Sequence, residues 1–157
     1  MTWVDAATFP IYVDPTLTLQ PDAAAGIDVR LFQGSPNNNY GTDARLNIVA
    51  NSGGFDFRSI IKFDLSDLPD GATIDSATLS VFTTSSYEWE STTLYAHRIL
   101  SGNGGWTESG ARWNNIDGTN AWAGSAGCST SGTDYAATAS GSDALIADFT
   151  FPLPATV

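Results

Sequence analysis

The chain carries one histidine, one cysteine and one lysine, so any catalysis would have to be assembled from very few groups. His97 lies beside Arg98 in an alternating run, and no motif near it supplies the nucleophile and orienting acid of a hydrolase triad. It reads as an ordinary strand histidine. Cys128 sits in Gly127-Cys128-Ser129-Thr130, with no His or Lys nearby in sequence to depress its pKa, and reads as a small packed hydrophobe. A single cysteine also excludes an intrachain disulfide and a zinc site built from several thiolates. Glu88 and Glu90 flank Trp89, but side chains two apart on an extended segment point the same way, whereas glycoside hydrolysis needs carboxylates opposed across a cleft. The chain reads as a non-enzyme.

Binding chemistry is better represented. Exposed aromatic faces stack on the apolar faces of sugar rings while amides and guanidinium groups hydrogen-bond the hydroxyls, and Tyr87, Trp89 and Trp122 with Arg112, Asn114 and Asn115 form such a set. Trp106 and Trp113 are expected instead to plug the end of a core. Hard oxygen ligands of the kind a structural calcium ion takes are supplied by Asp28, Asn39, Asp43 and Asp64, though there is no contiguous loop of the EF-hand sort. Asn-rich turns also arise because Asn accepts left-handed backbone angles. No other cofactor is implied. With 17 acidic residues against 6 basic ones, the net charge of -11 would repel nucleic-acid phosphates and anionic headgroups, and no apolar run reaches the length of a membrane helix. Neither nucleic acid nor membrane insertion is expected.

The elements that must hold these groups are short. Residues 28–32, 45–50, 57–65, 73–83 and 91–100 alternate apolar and polar side chains at a period of two, and 144–151 reads as one more strand, stopped by Pro152 and Pro154. Residues 91–100 carry apolar groups on both sides, which predicts a central strand. Leu68-Pro69-Asp70-Gly71 is a turn in which proline fixes φ and the following pair tolerates a tight reversal. Residues 101–142 show many glycines, three tryptophans and neither period, and read as a long functional loop. Helix is a minor component, and the pattern predicts an all-β antiparallel sandwich of the jelly-roll type with long loops.

Asp28, the loop from Ser35-Pro36-Asn37 to Tyr40-Gly41, the stretch 58–79, Trp106-Thr107-Glu108 and Ala111-Arg112-Trp113-Asn114 together resemble the DNRLRE domain. That domain is also seen in disaggregatase-related repeats and in one carbohydrate-binding module family. The resemblance implies a jelly-roll β-sandwich found on surface proteins and in phage structural genes, with no catalysis of its own. It runs past the position of Phe151 in the family, whereas this chain stops at Val157, so an edge is expected to accept a strand from a neighbour.

Residues 1–26 then form an extended N-terminal arm, and 27–157 the domain. Arg58 is expected to pair with Asp64 or Asp28. The first functional expectation is a virion structural or surface protein, a head-decoration, neck or tail-fibre component. It would act through contacts with copies of itself or other virion proteins, and through host attachment. The alternative is a carbohydrate-binding or adhesion module of a cell-surface protein, with polysaccharide as partner. The expected location is the virion surface or the extracellular space.

Overall fold

Ile27, Val29 and Leu31 alternate with Asp28, Arg30 and Phe32, the period that gives a strand two unlike faces. In the computed structural model, which describes residues 16–20, 26–50, 53–82, 93–144 and 148–153, this segment is β1 (Gly26–Phe32). It pairs antiparallel with β2 (Phe57–Phe63). The other strands are β3 (Ala77–Phe82), β4 (Thr93–Ala96), β5 (Gly141–Ala144) and β6 (Asp148–Leu153). They form two further antiparallel pairs, β3–β6 and β4–β5, and a 3-10 turn at Ser101–Asn103 is the one helical element among the described residues. The described residues are nearly all-β, and their strands pair antiparallel, as the alternation requires. The arm expected over residues 1–26 lies largely outside the described residues.

Directly opposed residues in an antiparallel pair point to the same side, so the register of β1 and β2 sorts their side chains. Ile27 with Lys62, Val29 with Ile60, and Leu31 with Arg58 share the inner face. Asp28 with Ile61, Arg30 with Ser59, and Phe32 with Phe57 share the outer face. Val29, Leu31 and Ile60 are buried, and what buries them is the glycine-rich stretch 101–135, through Trp106, Ala111, Trp113, Trp122 and Cys128. That stretch supplies the layer opposite the β1–β2 inner face. Each indole withdraws on the order of 200 Å² from water, worth about 5 kcal/mol of transfer free energy as an upper bound. Three of them make this irregular segment the larger contributor to the core.

Two cations fasten the segment from beneath. Arg58 Nη1 donates to Gly127 O at 2.9 Å, Cys128 O at 2.9 Å and Ser129 Oγ at 2.8 Å, with the guanidinium carbon 5.6 Å from the Trp113 ring centroid. Lys62 Nζ donates to Trp106 O at 2.9 Å and stands 4.9 Å from the Trp106 ring. The expected Arg58 pairing with Asp64 or Asp28 is therefore corrected. Asp28 is on the opposite face of the sheet, and loop carbonyls left without strand partners are the acceptors within reach.

A buried carboxylate organises the same segment from within. Asp134 is 0% exposed, and its Oδ1 accepts from Gly124 N at 2.7 Å and Asn103 Nδ2 at 2.9 Å. Its Oδ2 accepts from Ser125 N at 3.0 Å and Thr130 N at 2.7 Å. Asn103, equally buried, accepts from Ala123 N at 2.8 Å. Burial pushes the Asp134 carboxyl up, but the bonds from Ser125, Thr130, Asn103 and Gly124 outweigh it and hold the carboxyl below the usual carboxylate range. Backbone groups that a sheet would have paired are paired here by side chains.

Four expectations about elements are revised. Residues 45–50 form no strand but a single bridge, Val49 to Phe57, because Asn47 is held over the outer face: Arg30 Nη1 donates to its Oδ1 and Ser59 Oγ to its carbonyl. Of the strand expected at 91–100, Thr93–Ala96 forms β4 with one partner among the described residues, and residues 97–100 lie outside it. Tyr95 is 63% exposed, and the apolar character on that side reflects Tyr95, His97 and Tyr135 packing on one another. Of the run 144–151, Ala144 belongs to β5 and residues 148–151 to β6, which take different partners. Pro152 sits inside β6 opposite Thr78, a placement that strands at a sheet edge tolerate. The turn at Leu68-Pro69-Asp70-Gly71 forms as expected, with Gly71 at φ 78° and Ala72 N donating to Pro69 O.

Candidate functional site

The outer face of β1–β2 gathers aromatic and polar side chains that the strand period places side by side. Phe32 and Phe57 stack across the pair, with ring centroids 4.1 Å apart and planes within 1°. Phe55 and Tyr40 each lie 6.4 Å from Phe32. Phe55 follows the Gly53-Gly54 turn, where Gly54 adopts φ 83°, and is 57% exposed. Arg30 lies over Tyr40, its guanidinium carbon 4.5 Å from the ring centroid, in cation–π geometry. Asp43 binds that guanidinium at 2.6 Å and Asn47 Oδ1 accepts from it at 2.7 Å.

The surface continues past Tyr40 along the loop that follows β1. Asn39 Nδ2 donates to Glu108 O at 2.7 Å and Ala111 O at 2.8 Å, while its Oδ1 accepts from Gly41 N. Glu108 Oε1 accepts from Asp28 N at 3.2 Å. Burial and the neighbouring Glu108 charge raise the Asp28 carboxyl above its ordinary value. One step further, Asn114 Nδ2 donates to Asn37 Oδ1 at 2.8 Å in an exposed pair, and Asn114 N to Pro36 O. Amides, carboxylates and half-buried rings thus follow one another from Asn114 to Phe55.

The expected sugar-binding set is distributed differently. Tyr87 and Trp89 lie outside the described residues, as do Glu88 and Glu90. Trp122 is 4% exposed, with Nε1 donating to Trp113 O at 2.9 Å and Arg112 O at 3.1 Å, so its ring is part of the core and presents no face for stacking. Trp106 and Trp113 are buried as plugs, in line with expectation. Asn115 Nδ2 donates to Thr119 O, and Arg112 is half-buried with its Nε unpartnered. Among the described residues of the set, Asn114 bonds Asn37 on the loop that follows β1.

The four oxygen donors considered for calcium each have protein partners. Asp28 faces Glu108, Asn39 is consumed by three structural bonds, Asp43 is held by Arg30, and Asp64 accepts from Ser66 N at 2.9 Å. Among the described residues, no three His, Cys, Asp or Glu side chains converge to hold a metal. His97 Nδ1 shares a hydrogen bond with Ala136 O at 2.9 Å, with Tyr135 edge-on at 5.0 Å. Cys128 is buried, and burial together with the Asp134 charge, against a smaller opposing effect of Arg58, pushes its thiol up to about 12.

Phe55, Tyr40 and Arg30 were not among the expected binding residues. The signal for Phe55 was available, since a phenylalanine directly after Gly-Gly and two residues before the strand phenylalanine Phe57 breaks the usual polarity of a turn. The pairing of Arg30 with Asp43 over Tyr40 depends on how the 33–47 chain folds back, which no local pattern encodes.

A family model described as carbohydrate-binding module family 96 matches residues 23–138, from just before β1 to the far side of the core-forming loop. No curated protein and no solved structure shows significant similarity to the chain. Of the two functional expectations, the match supports the carbohydrate-binding module and lends nothing to virion assembly. No described helix is long and apolar enough to cross a membrane.

Proposed function

The chain belongs to carbohydrate-binding module family 96, and on that premise we propose that it is a polysaccharide-binding module with no catalysis of its own, acting outside the cell or at its surface. The observation that carries this reading is the extent of the match, which takes in β1, β2 and the entire segment that builds the core. The chemistry is consistent with it: half-exposed rings, amides and carboxylates serve the apolar faces and hydroxyls of sugars.

We read the three antiparallel pairs as parts of a jelly-roll sandwich, a DNRLRE-type domain over 27–157 with an arm over 1–26, a reading that the motif over 58–79 supports. Asn114, with Asn115 and Arg112 on the same loop and Tyr87 and Trp89 elsewhere, would add hydrogen bonds and stacking to bound sugar. The test is co-sedimentation of the purified chain with insoluble polysaccharides, together with tryptophan fluorescence titration against soluble ones. Saturable binding to at least one glycan is expected. Failure to bind any member of a broad panel would overturn the proposal.

A further inference from the structure

We infer that a pyranose ring is seated on a second surface, the line of Tyr95, His97 and Tyr135 on the β4–β5 pair and its continuation, with Thr93 and Ser142 supplying hydroxyls beside it. The inference rests on the carbohydrate-binding reading above and adds to it a site on a different strand pair. Side chains two apart on a strand share a side, and directly opposed residues do too. Thr93 and Tyr95 therefore stand together, Ser142 joins them from opposite Tyr95, and His97 continues the line. Tyr95, at 63%, is the most exposed large apolar side chain among the described residues, and Thr93 and Ser142 are exposed beside it. Its ring centroid lies 6.4 Å from that of His97 at 44°, and Tyr135 meets His97 edge-on at 5.0 Å. None of these rings stacks flat on another, so faces remain for a sugar to lie on. On the outer face of β1–β2, by contrast, Phe32 and Phe57 stack on each other and Arg30 covers Tyr40.

The line is held in place before any ligand arrives, which spares a shallow surface the cost of ordering its own side chains on binding. Tyr135 follows Asp134, whose carboxylate is anchored by four hydrogen bonds. The backbone around it is tied as well: Leu100 N donates to Asp134 O at 3.0 Å, Gly132 N to Tyr135 O at 2.8 Å and Ala136 N to Arg98 O at 2.8 Å. A carbonyl has no proton to give, so His97 Nδ1 is the donor to Ala136 O at 2.9 Å. The neutral ring then keeps Nε2 as an acceptor for a sugar hydroxyl. Stacking and hydroxyl contacts together match a pyranose, whose apolar C–H face and rim of hydroxyls are common to neutral and uronate chains.

Affinity gel electrophoresis of the intact chain tests the site, with glucomannan, galactomannan, xyloglucan and xylan as neutral probes and polygalacturonate and alginate as uronate ones. In each gel that retards the wild type, Tyr95→Ala should weaken retardation about tenfold, the loss of one stacking partner. Tyr95→Phe restores the ring without the hydroxyl and should bring most of that back, which separates lost stacking from lost folding. A second readout needs no variant: nitration of Tyr95 by tetranitromethane, followed by peptide mass spectrometry, should fall severalfold when the retarding polysaccharide is present at saturation. Unchanged retardation of Tyr95→Ala, a loss in Tyr95→Phe equal to that in Tyr95→Ala, or undiminished nitration of Tyr95 with polysaccharide bound overturns this site and leaves the carbohydrate reading standing. Free migration of the wild type in every gel overturns the carbohydrate reading itself, and the inference with it.

Discussion

Replacing Asp134 by Asn changes no shape and removes one charge, yet it should cost the domain a large share of its stability. The carboxylate accepts four hydrogen bonds, two on each oxygen, from Gly124 N, Asn103 Nδ2, Ser125 N and Thr130 N. Whichever way the new amide is turned, its NH2 faces two of those donors. Two buried donors lose their acceptor at about 1–3 kcal/mol each, and the other two bonds lose their charge assistance, so the loss is about 4 kcal/mol. That is comparable with the lower end of the 5–15 kcal/mol that holds an ordinary domain together. The assay is urea unfolding followed by the fluorescence of Trp106, Trp113 and Trp122, all buried in the layer that Asp134 organises. With a slope of about 2 kcal/mol/M, the midpoint should fall by about 2 M. Asp117, whose carboxylate caps an exposed turn through Thr119 N and Asn120 N, is the control, and Asp117→Asn should shift the midpoint far less. A shift under about 0.5 M for Asp134→Asn would refute the claim that this carboxylate orders the loop.

The remaining expectations concern the same layer. Because the folded Asp134 carboxyl titrates below its unfolded value, its stabilisation is complete above about pH 3.9 and is lost as pH falls through the folded pKa. The gap between wild type and Asp134→Asn should therefore narrow as pH falls below about 4, and a gap independent of pH would contradict this. Arg58→Met should cost about 2–3 kcal/mol by urea unfolding, since two loop carbonyls lose their donor, and Arg58→Lys should recover part of it. Gly127 adopts φ 75°, and an added Cβ would stand 2.6 Å from the Trp113 ring, so Gly127→Ala should cost about 2–4 kcal/mol from strain and overpacking together. Gly71 has φ 78° with nothing near its added Cβ, so Gly71→Ala should cost only the backbone part, about 1–2 kcal/mol by the same unfolding assay.

The strands β1, β2 and β3 were legible because alternation at a period of two is a local property, and the Pro69–Ala72 turn because its chemistry is contained in four residues. What was not legible is the second layer of the core. A segment with neither period, rich in glycine, reads as solvent-facing, but here glycine serves close approach, as at Gly127 against Trp113, and lets three indoles pack on Val29, Leu31 and Ile60. Trp122, which lies in that segment, is buried by the same packing. Arg58 was assigned an acidic partner because ion pairs are the usual expectation, whereas an irregular segment presents unpaired carbonyls that compete for the same donor. The outer surface depends on chain reversal between Gln33 and Asp56, which no local pattern encodes.

Cys128, at φ 54° within the tryptophan layer and with its thiol pushed up to about 12, has a consequence for anyone handling the molecule. Its sulfur is almost wholly uncharged near neutrality, so alkylating reagents and oxidants will pass over it while the layer is shut. Each excursion that detaches the layer uncovers the sulfur and restores ordinary reactivity, and there is no second sulfhydryl to confuse the signal. The rate of labelling then counts those excursions directly, an internal stopwatch for breathing that needs no engineered probe.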